Sequence, residues 1–202
     1  SILDQYINEN PCKHVRSLKV DNKIVRYLSD EEKPRLLKAA KDIGGKFYLK
    51  VLMALTTGMR KGELERLRWF DIDFDKNLAM LSDTKNGNPR HTPIPSVIMG
   101  ELKKHREIGN RLLFPSSIDI NKPFDYKKQW AKCLKAADIN NFRWHDMRHD
   151  TASTLARDGR TLKEIAEILG HKSLASTDRY THLSTAHKSQ VLNDTMSKSI
   201  SL

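Results

Sequence analysis

The spacing of apolar residues changes period once along this chain, and that change constrains the fold more than any other feature. Over most of the length apolar residues follow the three-to-four-residue spacing that lines one face of an α-helix. Capping signals bracket these stretches. Ser29-x-x-Glu32 has capping-box spacing ahead of Leu36, Leu37, Ala39 and Ala40, and Pro34 falls early in that helix, where it disturbs little. Residues 47–55 are apolar on nearly every side, which predicts a buried helix closed by Thr57-Gly58, with a new helix starting near Arg60. Helical spacing returns at 97–106, at 126–137 and almost without interruption from 145 onward, where a second capping box, Thr161-x-x-Glu164, opens a helix that stops at Gly170. Between 69 and 95 the period shortens to two. Phe70, Ile72 and Phe74 alternate with Asp71, Asp73 and Asp75, residues 78–81 make a second short strand, and 91–95 a third, with Asn86-Gly87 as a tight turn. The expected fold is α+β, mainly helical with one small antiparallel sheet. The sequence contains no internal repeat and no low-complexity tract.

A chain of 202 residues is long enough for one full-sized domain and a short appendage. Residues 1–27 are polar, basic and poorly periodic, broken at Asn10-Pro11, and read as a linker to a preceding domain; the folded unit spans 28–202. Thirty-six Lys and Arg against twenty-five Asp and Glu leave a formal charge of +11, an excess expected of a protein that faces a polyanion such as DNA or RNA. A membrane surface fits less well, because nothing approaches the roughly 20 consecutive apolar residues of a spanning helix. No basic amphipathic segment stands alone, and the first residues lack the pattern of a secretory signal, so the chain reads as cytosolic. Two cysteines, Cys12 and Cys133, support neither a disulfide framework nor a cysteine zinc cage.

Several residue clusters could carry chemistry on a phosphate. Arg60 follows a glycine turn at a helix start, where backbone amides already favour an anion and a guanidinium can grip two oxygens at once. Its plainer reading is a solvated charge. In His145-Asp146-Met147-Arg148-His149, positions i and i+3 bring His145 beside Arg148, a proton-transfer group beside a fixed cation. Alternatively, His145 caps the helix and Arg148 pairs with an acidic neighbour. A zinc site on His145 and His149 is rejected, because Arg148 would repel the metal and no Glu follows the first His. Asp71, Asp73 and Asp75 fail as a calcium loop, with Lys76 at the sixth position and Ser82 at the twelfth, and read as the solvent face of a strand. His171 follows a helix-ending glycine, where it is presented rather than buried. Tyr180 comes nine residues later, in Thr177-Asp178-Arg179-Tyr180-Thr181-His182, where a lone tyrosine is most often a half-buried packing residue.

Taken together, these clusters resemble a known family. Thr57-Gly58-Met59-Arg60-x-x-Glu63-Leu64, His145-x-x-Arg148, Leu169-Gly170-His171 and Tyr180-Thr181-His182 are similar, in order and spacing, to the motif boxes of the tyrosine recombinases, or phage-type integrases. Lys85, in Thr84-Lys85-Asn86-Gly87, matches the family's hairpin lysine, and the resemblance covers roughly 25–190. It implies the integrase catalytic-domain fold over 28–202 with a C-terminal helical tail, preceded at 1–27 by the end of a core-binding domain and a linker. The implied activity is DNA strand cleavage and rejoining through a covalent 3′-phosphotyrosine, with Tyr180 as nucleophile. Arg60, Arg148 and His171 would then hold the non-bridging oxygens, Lys85 would protonate the departing 5′ oxygen, and His145 would assist proton transfer at the nucleophile. Glu63 would orient these side chains, while His149 and His182 are structural. Neither metal nor nucleotide cofactor is implied, since the bond energy stays in the protein linkage. The implied partners are double-stranded DNA, touched around the groove by Lys61, Arg66, Arg68, Lys85 and Arg90, a synaptic tetramer formed on it by a chain that is monomeric alone, and accessory DNA-bending or directionality factors. The expected setting is the bacterial nucleoid. The tail 183–197 carries an incomplete apolar stripe, Leu183, Val191, Leu192 and Met196, that suits docking on a neighbouring subunit or on its own domain. Two alternatives remain: a type IB topoisomerase with the same chemistry, and a helix-turn-helix regulator built on the helix from Thr161 and the segment 173–180. The 84–87 and 69–73 segments look more like integrases of phages and genomic islands than like chromosome-dimer resolvases.

Overall fold

Helix formation begins where the capping box predicts it. In the computed structural model, which describes residues 26–82, 89–108, 111–171 and 173–200 together with Cys12 and Val15, Ser29 Oγ accepts the Glu32 N–H at 3.1 Å and the Glu32 carboxylate accepts the Ser29 N–H at 2.9 Å. Helix α1 (Glu32–Ile43) buries Leu36, Ala39 and Ala40 against α2 (Gly45–Thr57), whose apolar residues Phe47, Leu49, Val51 and Met53 point in several directions because α2 is packed on more than one side. Gly58 ends α2 in the left-handed region, and the short α3 (Lys61–Arg66) follows.

Strands β1 (Ile72–Asp73), β2 (Leu78–Leu81) and β3 (Arg90–Pro93) form an antiparallel sheet in sequence order, with Ile72 opposite Ala79 and Ala79 opposite Thr92. The first strand is shorter than the alternation predicts. A turn of 3-10 helix (Trp69–Asp71) takes its place, and the aspartates are not simply a solvent face. Asp71 accepts the Arg68 N–H at 2.8 Å, while Asp73 Oδ1 accepts the N–H groups of Asp75 and Lys76 at 3.0 and 2.9 Å. Short carboxylates satisfy nearby amides more readily than a two-residue ladder can, so the chain turns. The expected Asn86-Gly87 turn lies outside the described residues.

The remaining helices are α4 (Ser96–Lys104), α5 (Lys127–Ala136), α6 (Asp146–Arg157), α7 (Leu162–Leu169) and α8 (Thr185–Ile200). Thr161 and Glu164 cap α7 reciprocally, and Gly170 closes it in the left-handed conformation. The segment after α7 is not a recognition helix. It forms two 3-10 stretches, Leu174–Ser176 and Asp178–Ser184, which removes the geometry a helix-turn-helix regulator needs.

Two apolar clusters result. The larger joins α1, α2, α4 and α5 to the sheet and is closed by Tyr126, Trp130 and Trp144, with Tyr126 and Trp144 ring centroids 3.9 Å apart. The smaller gathers Ala152 and Ala156 of α6, Ile165 and Leu169 of α7, and Tyr180. Each large apolar side chain buried there contributes roughly 1.5–3 kcal/mol, which fixes α6, α7 and the Tyr180 segment as one body. The segment before α1 is held to the same body: Leu28 is buried, and its N–H donates to Asp150 of α6 at 2.9 Å. In contrast, Val191, Leu192 and Met196 of α8 are exposed, and Leu183 is partly buried against the smaller cluster.

Candidate active site

Three guanidinium groups meet where α2 and α7 end. The last carbonyls of a helix have no intrahelical partner and carry the negative end of its dipole. Arg148, one turn into α6 and 5% exposed, donates to the carbonyls of Gly58 at 2.7 Å and Leu169 at 2.8 Å. Arg60 donates to the Gly170 carbonyl at 2.9 Å and to Glu63 at 2.8 Å. The glycine caps therefore do more than stop two helices, because they turn carbonyls toward the arginines.

Glu63 is the buried counter-charge. Its carboxylate accepts the Arg60 N–H at 2.8 Å and pairs with both Arg60 and Arg90, at 2.8 and 3.0 Å. Burial pushes its carboxyl up, but the Arg60 amide and the two arginine charges outweigh that and hold it below the ordinary carboxylate range. One carboxylate between Arg60, Arg90 and Arg148 leaves the cluster under-neutralised. Burial, then the neighbouring Arg60, lowers Arg148 to about 10. A bound anion would offset the repulsion among these cations.

The cluster lies at an open pocket of about 830 Å³, lined also by His145, His149, His171 and Tyr180. His171, just past the α7 cap, shares a 2.9 Å hydrogen bond through Nδ1 with Thr177, whose buried hydroxyl fixes the ring. Burial and then the charges of Arg148 and Arg60 push His171 down to about 4. His145 stands exposed at the α6 N-terminus and makes no side-chain cap, contrary to the capping alternative. Although the residue is open to solvent, its imidazole is partly covered in the pocket, and that partial burial, then Arg148, holds it below the ordinary value.

Tyr180 is 1% exposed, its ring packed in the smaller cluster, and its hydroxyl lies 2.5 Å from His149 Nδ1. Burial raises the phenol to about 12 despite Arg179 and Arg148. The packing role expected of a lone tyrosine and its place in the pocket are therefore both met, by opposite ends of one side chain. His149, expected to be structural, is the side chain that meets the Tyr180 hydroxyl. Its position one helical turn from His145 was visible, but only the fold of the Tyr180 segment back onto α6 pairs it with the phenol.

The structure brings Arg60, Glu63, His145, Arg148, His171 and Tyr180 together. Lys85 falls in 83–88, between Leu81 and Arg90 at the end of the β2–β3 pairing, outside the described residues. Lys61 is half exposed beside Glu65 and Tyr126, and Arg66 and Arg68 border a separate hollow of about 320 Å³. Arg90 is placed differently from the groove-facing expectation. It is 16% exposed, turned inward onto Glu63, Thr92 and the Ile168 carbonyl, because β3 passes directly under the α7 cap. The pocket rim instead carries Arg26, Arg143 and Arg179. Arg143, beside the His145 box, and Arg179, beside Tyr180, were legible by adjacency, whereas nothing local marks Arg26.

The sequence profile of the phage integrase family matches residues 26–187. The shufflon-specific DNA recombinase of Escherichia coli is 33% identical over 180 residues, 86% of this chain and 44% of that protein. Among solved structures, the XerA recombinase superimposes with a TM-score of 0.69 at 27% identity, covering 84% of this chain and 64% of that one. The catalytic domain of bacteriophage HP1 integrase gives a TM-score of 0.66 at 24% identity over 84% of this chain and 95% of that one, a likeness of fold. The chain spans about half the length of the curated relatives it matches.

Proposed function

From the premise that this chain belongs to the phage integrase family, we propose that it is the catalytic part of a site-specific DNA recombinase that cuts and rejoins strands through a 3′-phosphotyrosine at Tyr180. The observation that carries this reading is the convergence of Arg60, Arg148, His171 and Tyr180 on one pocket, from four separate segments. Attack of a phenol on a phosphodiester puts charge on the non-bridging oxygens, and fixed donors that need no reorganisation lower that barrier most. Arg60 and Arg148 suit this task because helix-end carbonyls and Glu63 hold their guanidinium planes. His171 adds a hydrogen bond, Lys85 of the hairpin protonates the departing 5′ oxygen, and a second 5′ hydroxyl reverses the step. Double-stranded DNA is the substrate. Arg26, Arg143 and Arg179 at the rim, with Lys61, Arg66 and Arg68 beyond it, hold flanking phosphates.

In this reading residues 1–27 join the catalytic domain to a core-binding domain. Chains assemble as a tetramer on DNA, with the exposed stripe of α8 seated on a neighbour, and accessory DNA-bending or directionality factors set the outcome. The element served is a phage or genomic island, and the work is done at the nucleoid in the bacterial cytoplasm. Among the described residues no helix is long and apolar enough to cross a membrane.

The test is covalent capture. A pool of nicked duplexes with a randomised centre is incubated with the chain and resolved on a denaturing gel. The wild type gives an adduct that survives denaturant and Tyr180→Phe gives none. If neither protein forms an adduct, the reading fails. Strand exchange between two captured duplexes, rather than relaxation of a supercoiled plasmid alone, separates a recombinase from a topoisomerase.

A further inference from the structure

Resting on the reading of Tyr180 as nucleophile, we infer that His149, not His145, is the catalytic base that takes the phenolic proton as Tyr180 attacks. His149 Nδ1 lies 2.5 Å from the Tyr180 hydroxyl, within the reach a general base requires, and accepts the phenolic proton when the ring is the Nε2–H tautomer. The His145 ring meets that of His149 edge-to-face, with centroids 5.0 Å apart. The geometry is fixed from both sides. α6 holds the imidazole on the turn that also carries Arg148, and the Tyr180 ring is clamped by Ala152, Ala156, Ile165 and Leu169.

The surroundings suit a base that works only with substrate present. His145, Asp146 and Arg148 of α6 face His149, as do Arg179 and Tyr180 across the pocket. Burial first, then His145 and Arg179, push the imidazole down to about 4, so at neutral pH it is uncharged and Nδ1 offers a lone pair. With the phenol raised to about 12 the proton stays on oxygen at rest. A phosphate seated on Arg60 and Arg148 brings negative charge to a pocket of cations, which strengthens the base when it is needed. In the step itself Tyr180 Oη bonds to phosphorus while its proton passes to His149 Nδ1. The bond from phosphorus to the 5′ oxygen breaks with its electron pair, and that oxygen takes a proton from the cationic Lys85. In the reverse step the attacking 5′ hydroxyl returns a proton to Lys85, and His149 returns one to Tyr180.

The experiment uses the 202-residue chain and the duplex recovered by covalent capture on wild type, made with oxygen or with sulfur at the 5′ bridging position. Sulfur leaves without an acid, so it restores a variant that lacks the acid and leaves one that lacks the base unrestored. His149→Ala lowers the single-turnover cleavage rate by roughly 100-fold or more, sulfur does not recover it, and added imidazole recovers part; Lys85→Ala is recovered by sulfur. A rate for His149→Ala within about threefold of wild type, or its recovery by sulfur, overturns the assignment. Nitrogen-15 NMR of the DNA-free wild type reads the contact without a variant. His149 is expected as the Nε2–H tautomer with Nδ1 accepting, and an Nδ1–H tautomer overturns the assignment. A wild type that captures no duplex overturns the nucleophile reading and this one together, whereas capture with an unaffected His149→Ala overturns this one alone.

Discussion

Replacing Gly170 by alanine strikes the arginine cluster from beneath, and the structure sets the size of the effect. Gly170 has φ +67° and ψ 50°, the left-handed region, where a Cβ costs roughly 1–2 kcal/mol. That Cβ would also lie 2.5 Å from Arg90 Nε and 2.7 Å from Cδ and Cζ, distances at which something must move. The Arg90 side chain cannot swing away freely, because its guanidinium is bonded to Glu63 at 3.0 Å, Thr92 at 2.8 Å and the Ile168 carbonyl at 3.1 Å. Loss of one charge-assisted bond of this kind costs about 1.5–3 kcal/mol. Gly170→Ala is therefore expected to lower unfolding free energy by roughly 3–5 kcal/mol, a fall of about 10 °C in Tm for a domain of this size. Urea unfolding followed by circular dichroism measures it. Gly100→Ala is the control. Gly100 lies inside α4 and an added Cβ meets nothing within 4 Å, so this change is expected to stabilise by roughly 0.5–1 kcal/mol. In an Arg90→Ala background Gly170→Ala should cost only the backbone part, a non-additivity that isolates the clash. A loss below about 1 kcal/mol for Gly170→Ala in the wild-type background would refute the argument that the α7 cap and Arg90 are held against each other.

Lys50 is buried among Tyr126, Phe114 and Trp144, and burial lowers its ammonium to about 8 despite Glu65. The unfolded chain binds this proton more tightly, so stability rises with pH from about 8 towards 10.5; Lys50→Met is expected to be no less stable at pH 7 and to flatten that rise in pH-dependent denaturation curves. His149 and His171, both pushed down to about 4 from 6.5, lower stability as pH falls through that interval. Each contributes a slope of at most about 1.4 kcal/mol per pH unit, and His171→Asn should remove its own share in urea titrations at pH 4–7. Asp150→Ala removes the acceptor for the buried Leu28 N–H and the partner of Lys33. A loss of roughly 1–3 kcal/mol and faster proteolysis near Leu28 are expected, and unchanged cleavage there would contradict the anchoring of this segment on α6.

What could be read from local spacing concerned elements that local interactions specify. The boxes at Ser29 and Thr161 satisfy amides within four residues, so α1 and α7 start where their caps stand. The aspartates at 71 and 73 obey the same physics, but the alternating pattern hid it: a carboxylate that suits the outer face of a strand also closes a turn. Burial separated the two readings, since Phe70, on the supposed inner face, is exposed.

The site divides in the same way. The sequence by itself singled out Arg60, Glu63, His145, Arg148, His171 and Tyr180, because each sits in a short motif beside a helix end or turn. Only the tertiary structure decided how they are used. Arg90 faces inward because β3 crosses under the α7 cap, Arg26 reaches the pocket rim because Leu28 is tied to Asp150, and His149 meets Tyr180 because α6 and the 3-10 segment share a small apolar cluster. These contacts join residues 31 to 122 positions apart. Long-range packing of that kind is set by which apolar faces must leave water together, and no local pattern carries it.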